Sequence, residues 1–203
     1  KYGNTTRDTD GTVTEVTMSH GYIVVAPNFP LSNGGAPGGP TLVDMANQPA
    51  DLRFVMDQIS AAAGPTADLA KAVDRDREGI AGLSLGGGTV LIAAYHPVLH
   101  LNGIEAAVAY APASCFFGEA LYSRSFPTLV LAGTADELVP YSGGPTTAFR
   151  AAPGPITLAT LEGGNHLGFI GIEVPDVENT DTAVGCPAVQ SAGIEGIDRL
   201  VDQ

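Results

Sequence analysis

Gly79-Ile80-Ala81-Gly82-Leu83-Ser84-Leu85-Gly86-Gly87-Gly88-Thr89-Val90 joins a strand to a helix with no linker between them. Gly79 to Leu83 reads as a short strand buried on both faces, and Gly86 to Tyr95 as a helix with small residues at its start. Between them Gly82-Leu83-Ser84-Leu85-Gly86 matches G-x-S-x-G. The steric logic of that pattern is specific: a serine on a sharp strand-to-helix turn sits in a strained conformation, and side chains two positions to either side would collide. Such a turn lifts the hydroxyl above the sheet. It also aims the Leu85 N–H and the helix N-terminus at the place where negative charge develops on a reacting carbonyl. The same five residues in an arbitrary Gly-rich loop would only pack a helix on a sheet. Here their position between strand and helix makes Ser84 the candidate nucleophile.

Working outward, β-branched runs alternate with helical patterns from Gly21 onward, which implies a parallel sheet covered by helices on both faces, an α/β chain. The expected strands are Tyr22 to Ala26, Gly79 to Leu83, about Ile104 to Ala111, Pro127 to Gly133 and Ile156 to Leu161. The Gly/Pro-rich segment Leu31 to Pro40 is a loop. A helix is expected from about Val43 to Ala63, with Leu52, Val55, Met56 and Ile59 as one buried stripe. A closing helix is expected over Ala188 to Val201, with Ile194, Ile197 and Leu200 inward, and Thr12 to Ser19 has some helical character. One domain over 1–203 accounts for the length, and no solenoid or propeller repeat is visible.

A nucleophilic hydroxyl needs a base. His166 lies in Glu162-Gly163-Gly164-Asn165-His166-Leu167-Gly168-Phe169, a glycine-flanked loop after the last expected strand. His20 precedes the first strand, and His96 and His100 lie a helix length beyond Ser84, so these three read as surface or structural histidines. The base in turn needs a carboxylate to orient it and stabilise the imidazolium. Asp136, just past the strand ending at Gly133, is the candidate; its neighbour Glu137 is the rival and should face solvent. The order Ser84, Asp136, His166 suits groups carried on successive strand ends.

Composition narrows the rest. A net charge of −13, from 22 acidic against 9 basic residues, disfavours nucleic acid or an anionic membrane as a partner. No apolar run reaches the length of a membrane span. No metal-ligand spacing or phosphate-cradling loop appears, and acyl chemistry on a serine calls for no cofactor. Cys115 and Cys186 could form a disulfide pinning the C-terminal segment to the sheet or could remain buried thiols; sequence leaves both open. The chain opens at Lys1 with no signal peptide, and its acidity suits a secreted or extracytoplasmic protein.

The stretches GYIVVAPNFPLSNGGAPGGP, NQPADLRFVMDQI, IAGLSLGGGTV, LVLAGTADELVP and GGNHLGF together resemble the α/β-hydrolase superfamily. Within it the chain is similar to bacterial esterases related to dienelactone hydrolases, platelet-activating-factor acetylhydrolases and cutinase-like polyesterases. The resemblance covers about Ser19 to Phe169. It implies a carboxylic-ester hydrolase forming an acyl-enzyme on Ser84, resolved by water that His166 activates. It also implies N-terminal strands and a His-Gly loop carrying a second oxyanion-hole N–H. His20-Gly21 does not fit that role, so the N-terminal strands read as lacking and the second donor as unassigned, with Phe29 to Gly35 the candidate loop. Only Pro112 to Phe126 separate the third and fourth expected strands, too few for a cap domain, so an open site for short-chain or surface-accessible esters is expected. With no Trp in the chain, Phe29 and Phe169 are the expected substrate contacts, with Tyr22 a further aromatic. A cutinase-type polyesterase is the nearest alternative, and a catalytically silent binding scaffold the alternative of a different kind.

Overall fold

The computed structural model describes residues 20–39, 41–170 and 186. Four strands form a parallel sheet in the order β1 (Glu78–Leu83), β2 (Ile104–Tyr110), β3 (Thr128–Gly133) and β4 (Ile156–Leu161). Each is a short apolar or β-branched run, as its sequence requires. Register places Leu83 beside Tyr110, Tyr110 beside Leu131, and Gly133 beside Leu161. All four C-terminal ends therefore lie along one edge, and the loops that leave them meet there.

The core lies between the sheet and the helix α3 (Leu85–Tyr95), nearly all of whose residues are buried. Val90, Leu91 and Tyr95 pack with Ile80, Ala107, Ala109 and Val130 of the strands, and Ala148 of α4 (Pro145–Ala151) joins the same cluster. A helix apolar on every side is what an interior helix requires.

Three local expectations change. The single helix expected over 43–63 is a 3-10 turn, Leu42–Ala46, followed by α1, Gln48–Ser60. Pro49 explains the break, because a proline fits the first helical turn but cannot donate to a preceding one. The expected stripe divides accordingly: Leu52 and Met56 pack on the core, whereas Val55 and Ile59 line an open apolar groove with Val25 and Phe54. The helix α2 (Ala67–Ala72) follows and has no counterpart in the sequence reading.

The run Tyr22 to Ala26 is not a sheet strand. It joins no ladder among the described residues, and Tyr22 is 62 % exposed. Its β-branched side chains favour extended backbone, but a strand exists only where a neighbour supplies its hydrogen bonds. The strand leading into Ser84 is likewise not buried on both faces: Ile80 and Gly82 are buried while Gly79 and Ala81 are exposed. The expected helices over 12–19 and 188–201 lie outside the described residues.

Candidate active site

Ser84 has φ 56° and ψ −114°, a left-handed conformation unusual for a residue with a Cβ. The surroundings hold it there. The Ser84 N–H donates to the Tyr110 carbonyl at the end of β2, at 2.9 Å. The Ser84 carbonyl accepts from both the Gly88 N–H, at 3.0 Å, and the Ala113 N–H, at 2.9 Å. That carbonyl shares a peptide plane with the Leu85 N–H, so fixing one end fixes the direction of the other. The other end of that plane is the Leu85 N–H at the start of α3.

The flanking glycines are needed for clearance. A Cβ on Gly82 would lie 2.3 Å from the Gly86 carbonyl oxygen, and one on Gly87 would lie 2.8 Å from the Pro112 Cα. Neither can be accommodated without moving backbone. Ala111, between β2 and Pro112, also has a positive φ of 39° and is fully buried, and it delivers the chain to Ala113.

Asp136 lies past the end of β3 and His166 past the end of β4. Asp136 Oδ2 is 2.7 Å from His166 Nδ1, and Oδ1 accepts the Val139 N–H at 2.8 Å. The carboxylate is therefore held at both oxygens and is buried. Glu137 is exposed. With Nδ1 engaged by the carboxylate, a neutral imidazole carries its proton there and leaves Nε2 as an acceptor. Asp136 and His166 are thus brought into contact, whereas among the described residues no hydrogen bond joins His166 to the Ser84 hydroxyl.

The two loops are laced together by backbone N–H donors. Thr134 N–H donates to the Leu161 carbonyl, Ala135 N–H to the Gly164 carbonyl, and Gly163 N–H to Thr134 Oγ1. A Cβ on Gly133 would stand 2.1 Å from the Gly164 carbonyl oxygen. Glycine at 133 is thus the condition for the Asp136 turn and the His166 loop to lie so close.

The remaining histidines are elsewhere. His96 is buried at the end of α3, where its Nδ1 accepts from the Val98 and Leu99 N–H groups. His100 faces Asn102 and the His96 carbonyl, and His20 is exposed. Of the aromatic residues expected to meet substrate, Phe29 is only 8 % exposed and packs inward, which leaves little of its ring for a substrate. Phe169 is half-buried, edge-on to Tyr110 with ring centroids 6.2 Å apart. Tyr110 escaped the sequence reading because it is the last residue of a strand, where an aromatic side chain is ordinary. In the loop proposed for a second oxyanion donor, the N–H of Asn33 already serves the Phe29 carbonyl and that of Gly35 serves Asn33 Oδ1.

Between β2 and β3, where a cap would be inserted, the chain folds into the core: Phe117, Leu121, Tyr122 and Phe126 are all buried. Cys115 of that connection is disulfide-bonded to Cys186, whose N–H reaches the Leu138 carbonyl, and the pair packs against Val139 beside Asp136. Among the described residues no group of His, Cys, Asp or Glu could hold a metal ion, and no helix is long and apolar enough to cross a membrane.

The model of the PETase family, PET hydrolase-like, matches residues 38–161, which takes in the Ser84 turn, all four strands and Asp136. The chain belongs to this family. Comparison with curated proteins returns no match. The PET hydrolase-like family is one of α/β-hydrolases, and the parallel sheet with its serine turn is that fold. The match ends at Leu161, so the His166 loop stands on its geometry alone.

Proposed function

We propose that this PET hydrolase-like chain is a carboxylic-ester hydrolase that works through an acyl-enzyme on Ser84, with polyesters within its substrate range. The observation that carries the reading is the 2.7 Å contact between His166 and the buried, doubly held Asp136, on the same sheet edge as the strained Ser84. His166 Nε2 takes the proton from Ser84 Oγ as the oxygen attacks the ester carbonyl carbon. The carbonyl π electrons move onto oxygen, and the Leu85 N–H stabilises that charge. Collapse breaks the ester C–O bond, and the departing alkoxide takes the proton from the imidazolium. Water, deprotonated by His166, then frees the acid from Ser84 and restores the hydroxyl.

Family membership supports a polymeric substrate, and so does the connection between β2 and β3, which folds inward instead of covering the serine. The disulfide supports a secreted or extracytoplasmic location, since such bonds persist in oxidising compartments.

Hydrolysis of a p-nitrophenyl ester series, from acetate to long acyl chains, tests the reading against Ser84→Ala. Activity favouring short chains and lost in the variant is expected; activity no greater than the variant's would overturn it. Product release from a polyester film separates a polyesterase from an esterase confined to small esters.

A further inference from the structure

Gln48, the first residue of α1, is only 2 % exposed and lies in the interior against the equally buried Thr89. A leucine of similar volume would suit those surroundings without the cost of desolvating a carboxamide. What the carboxamide has instead is two partners on two other elements. Its Nε2 donates to Ser32 Oγ in the Phe29 to Gly39 loop, at 2.8 Å, and its Oε1 accepts from the Thr89 hydroxyl of α3. Thr89, also 2 % exposed, stands one turn beyond Leu85, and its hydroxyl lies 3.3 Å from the Leu85 carbonyl.

That hydroxyl has one proton and two acceptors in reach. Given to the Leu85 carbonyl, it would form the i to i−4 back-bond that bends helices. Given to Gln48, it leaves the first turn of α3 in regular geometry. The first turn of α3 carries the Leu85 N–H, and a bend there would swing that donor away from the charge it must meet.

We propose that Gln48 is a positioning residue for the Ser84 turn: it draws the Thr89 hydroxyl off the first turn of α3 and ties that turn, through Ser32, to the 29–39 loop. Its effect on rate rests on the ester-hydrolase reading above; the tie itself does not. Gln48 touches no substrate and acts only through Thr89 and Ser32.

Four variants test it: Thr89→Val, which keeps the shape without the hydroxyl, Thr89→Ser, which keeps the hydroxyl, Gln48→Leu and Ser32→Ala. Each is measured for kcat and KM on p-nitrophenyl acetate and for amide hydrogen exchange in peptides spanning 29–39 and 84–89. Gln48→Leu, which leaves the Thr89 hydroxyl to the Leu85 carbonyl, and Thr89→Val, which cuts the tie between the turn and the 29–39 loop, should each lower kcat about tenfold at constant KM, the loss expected for one buried hydrogen bond. Exchange in both segments should quicken in those two variants. Thr89→Ser should restore wild-type values, and Ser32→Ala should quicken exchange in 29–39 alone. Should Gln48→Leu not fold, the Thr89 pair makes the same comparison. The proposal is overturned if exchange in 84–89 is unchanged in Thr89→Val, or if kcat stays within about twofold of wild type while wild type is active. If wild type is no more active than Ser84→Ala, the hydrolase reading fails, and the exchange measurements still decide the tie.

Discussion

Ser84 adopts its left-handed backbone because three hydrogen bonds hold it and two glycines make room. Gly82→Ala should therefore destabilise the fold by at least about 2 kcal/mol, since the added Cβ meets backbone that cannot step aside; urea denaturation measures this. A gentler change should act the other way. Tyr122 is buried against Tyr95, and its hydroxyl has no hydrogen-bond partner among the described residues. Tyr122→Phe removes an unsatisfied polar atom and should raise stability by about 1 kcal/mol in the same assay. Burial, with a smaller contribution from Tyr95, pushes the Tyr122 hydroxyl pKa up. The folded state therefore favours the neutral phenol: its contribution is whole below the unfolded value of about 10 and is lost as pH rises beyond it. Tyr122→Phe should accordingly weaken the alkaline fall in stability, and equal slopes for the two proteins would refute this. Much of this scale was legible beforehand. G-x-S-x-G pointed to the strained turn at Ser84, and spacing from strand ends pointed to Asp136 and His166, which the structure brings into contact. The positive φ of Ala111 was not legible, because alanine carries no signal for it, and neither was the inward packing of Phe29, since a loop phenylalanine looks alike whether it faces core or solvent.

Among the elements, β1 to β4 could be read from apolar runs because each is bounded by Gly, Pro or the serine turn. The run at 22–26 misled because composition reports what a backbone prefers and not whether a neighbour is there to pair with it. Helices α2 and α4 escaped notice because six and seven residues are too few to show a period. The disulfide stayed undecided for want of a distance, now 5.7 Å between Cα atoms. It closes a sequence separation of 71 residues, for which chain entropy gives a stabilisation of up to roughly 4 kcal/mol. Replacing both cysteines by serine should lower stability toward that amount and make the chain indifferent to reductant; denaturation with and without dithiothreitol measures both. The interlocked ends of β3 and β4 predict a loss of a different kind. Gly133→Ala would push the Asp136 turn from the His166 loop, and esterase activity should fall by more than tenfold, roughly what a misplaced catalytic group costs.

At the level of the whole molecule, charge and substrate combine. The chain carries −13, and every ester cut in a polyester surface leaves a carboxylate behind. Enzyme and eroding film should therefore repel each other increasingly, across a screening length of about 10 Å at 0.1 M salt. Film hydrolysis should rise with ionic strength while hydrolysis of neutral p-nitrophenyl acetate hardly changes, and parallel salt profiles would contradict this. The backbone lacing at Gly133 and Gly164 also bears on how such chains can be recombined. A crossover that takes the β3 loop from one parent and the β4 loop from another brings together two surfaces that never had to fit. Offspring that inherit both loops from one parent keep the pair intact, so breeding new specificities into this scaffold should succeed when the junctions fall outside residues 133–166.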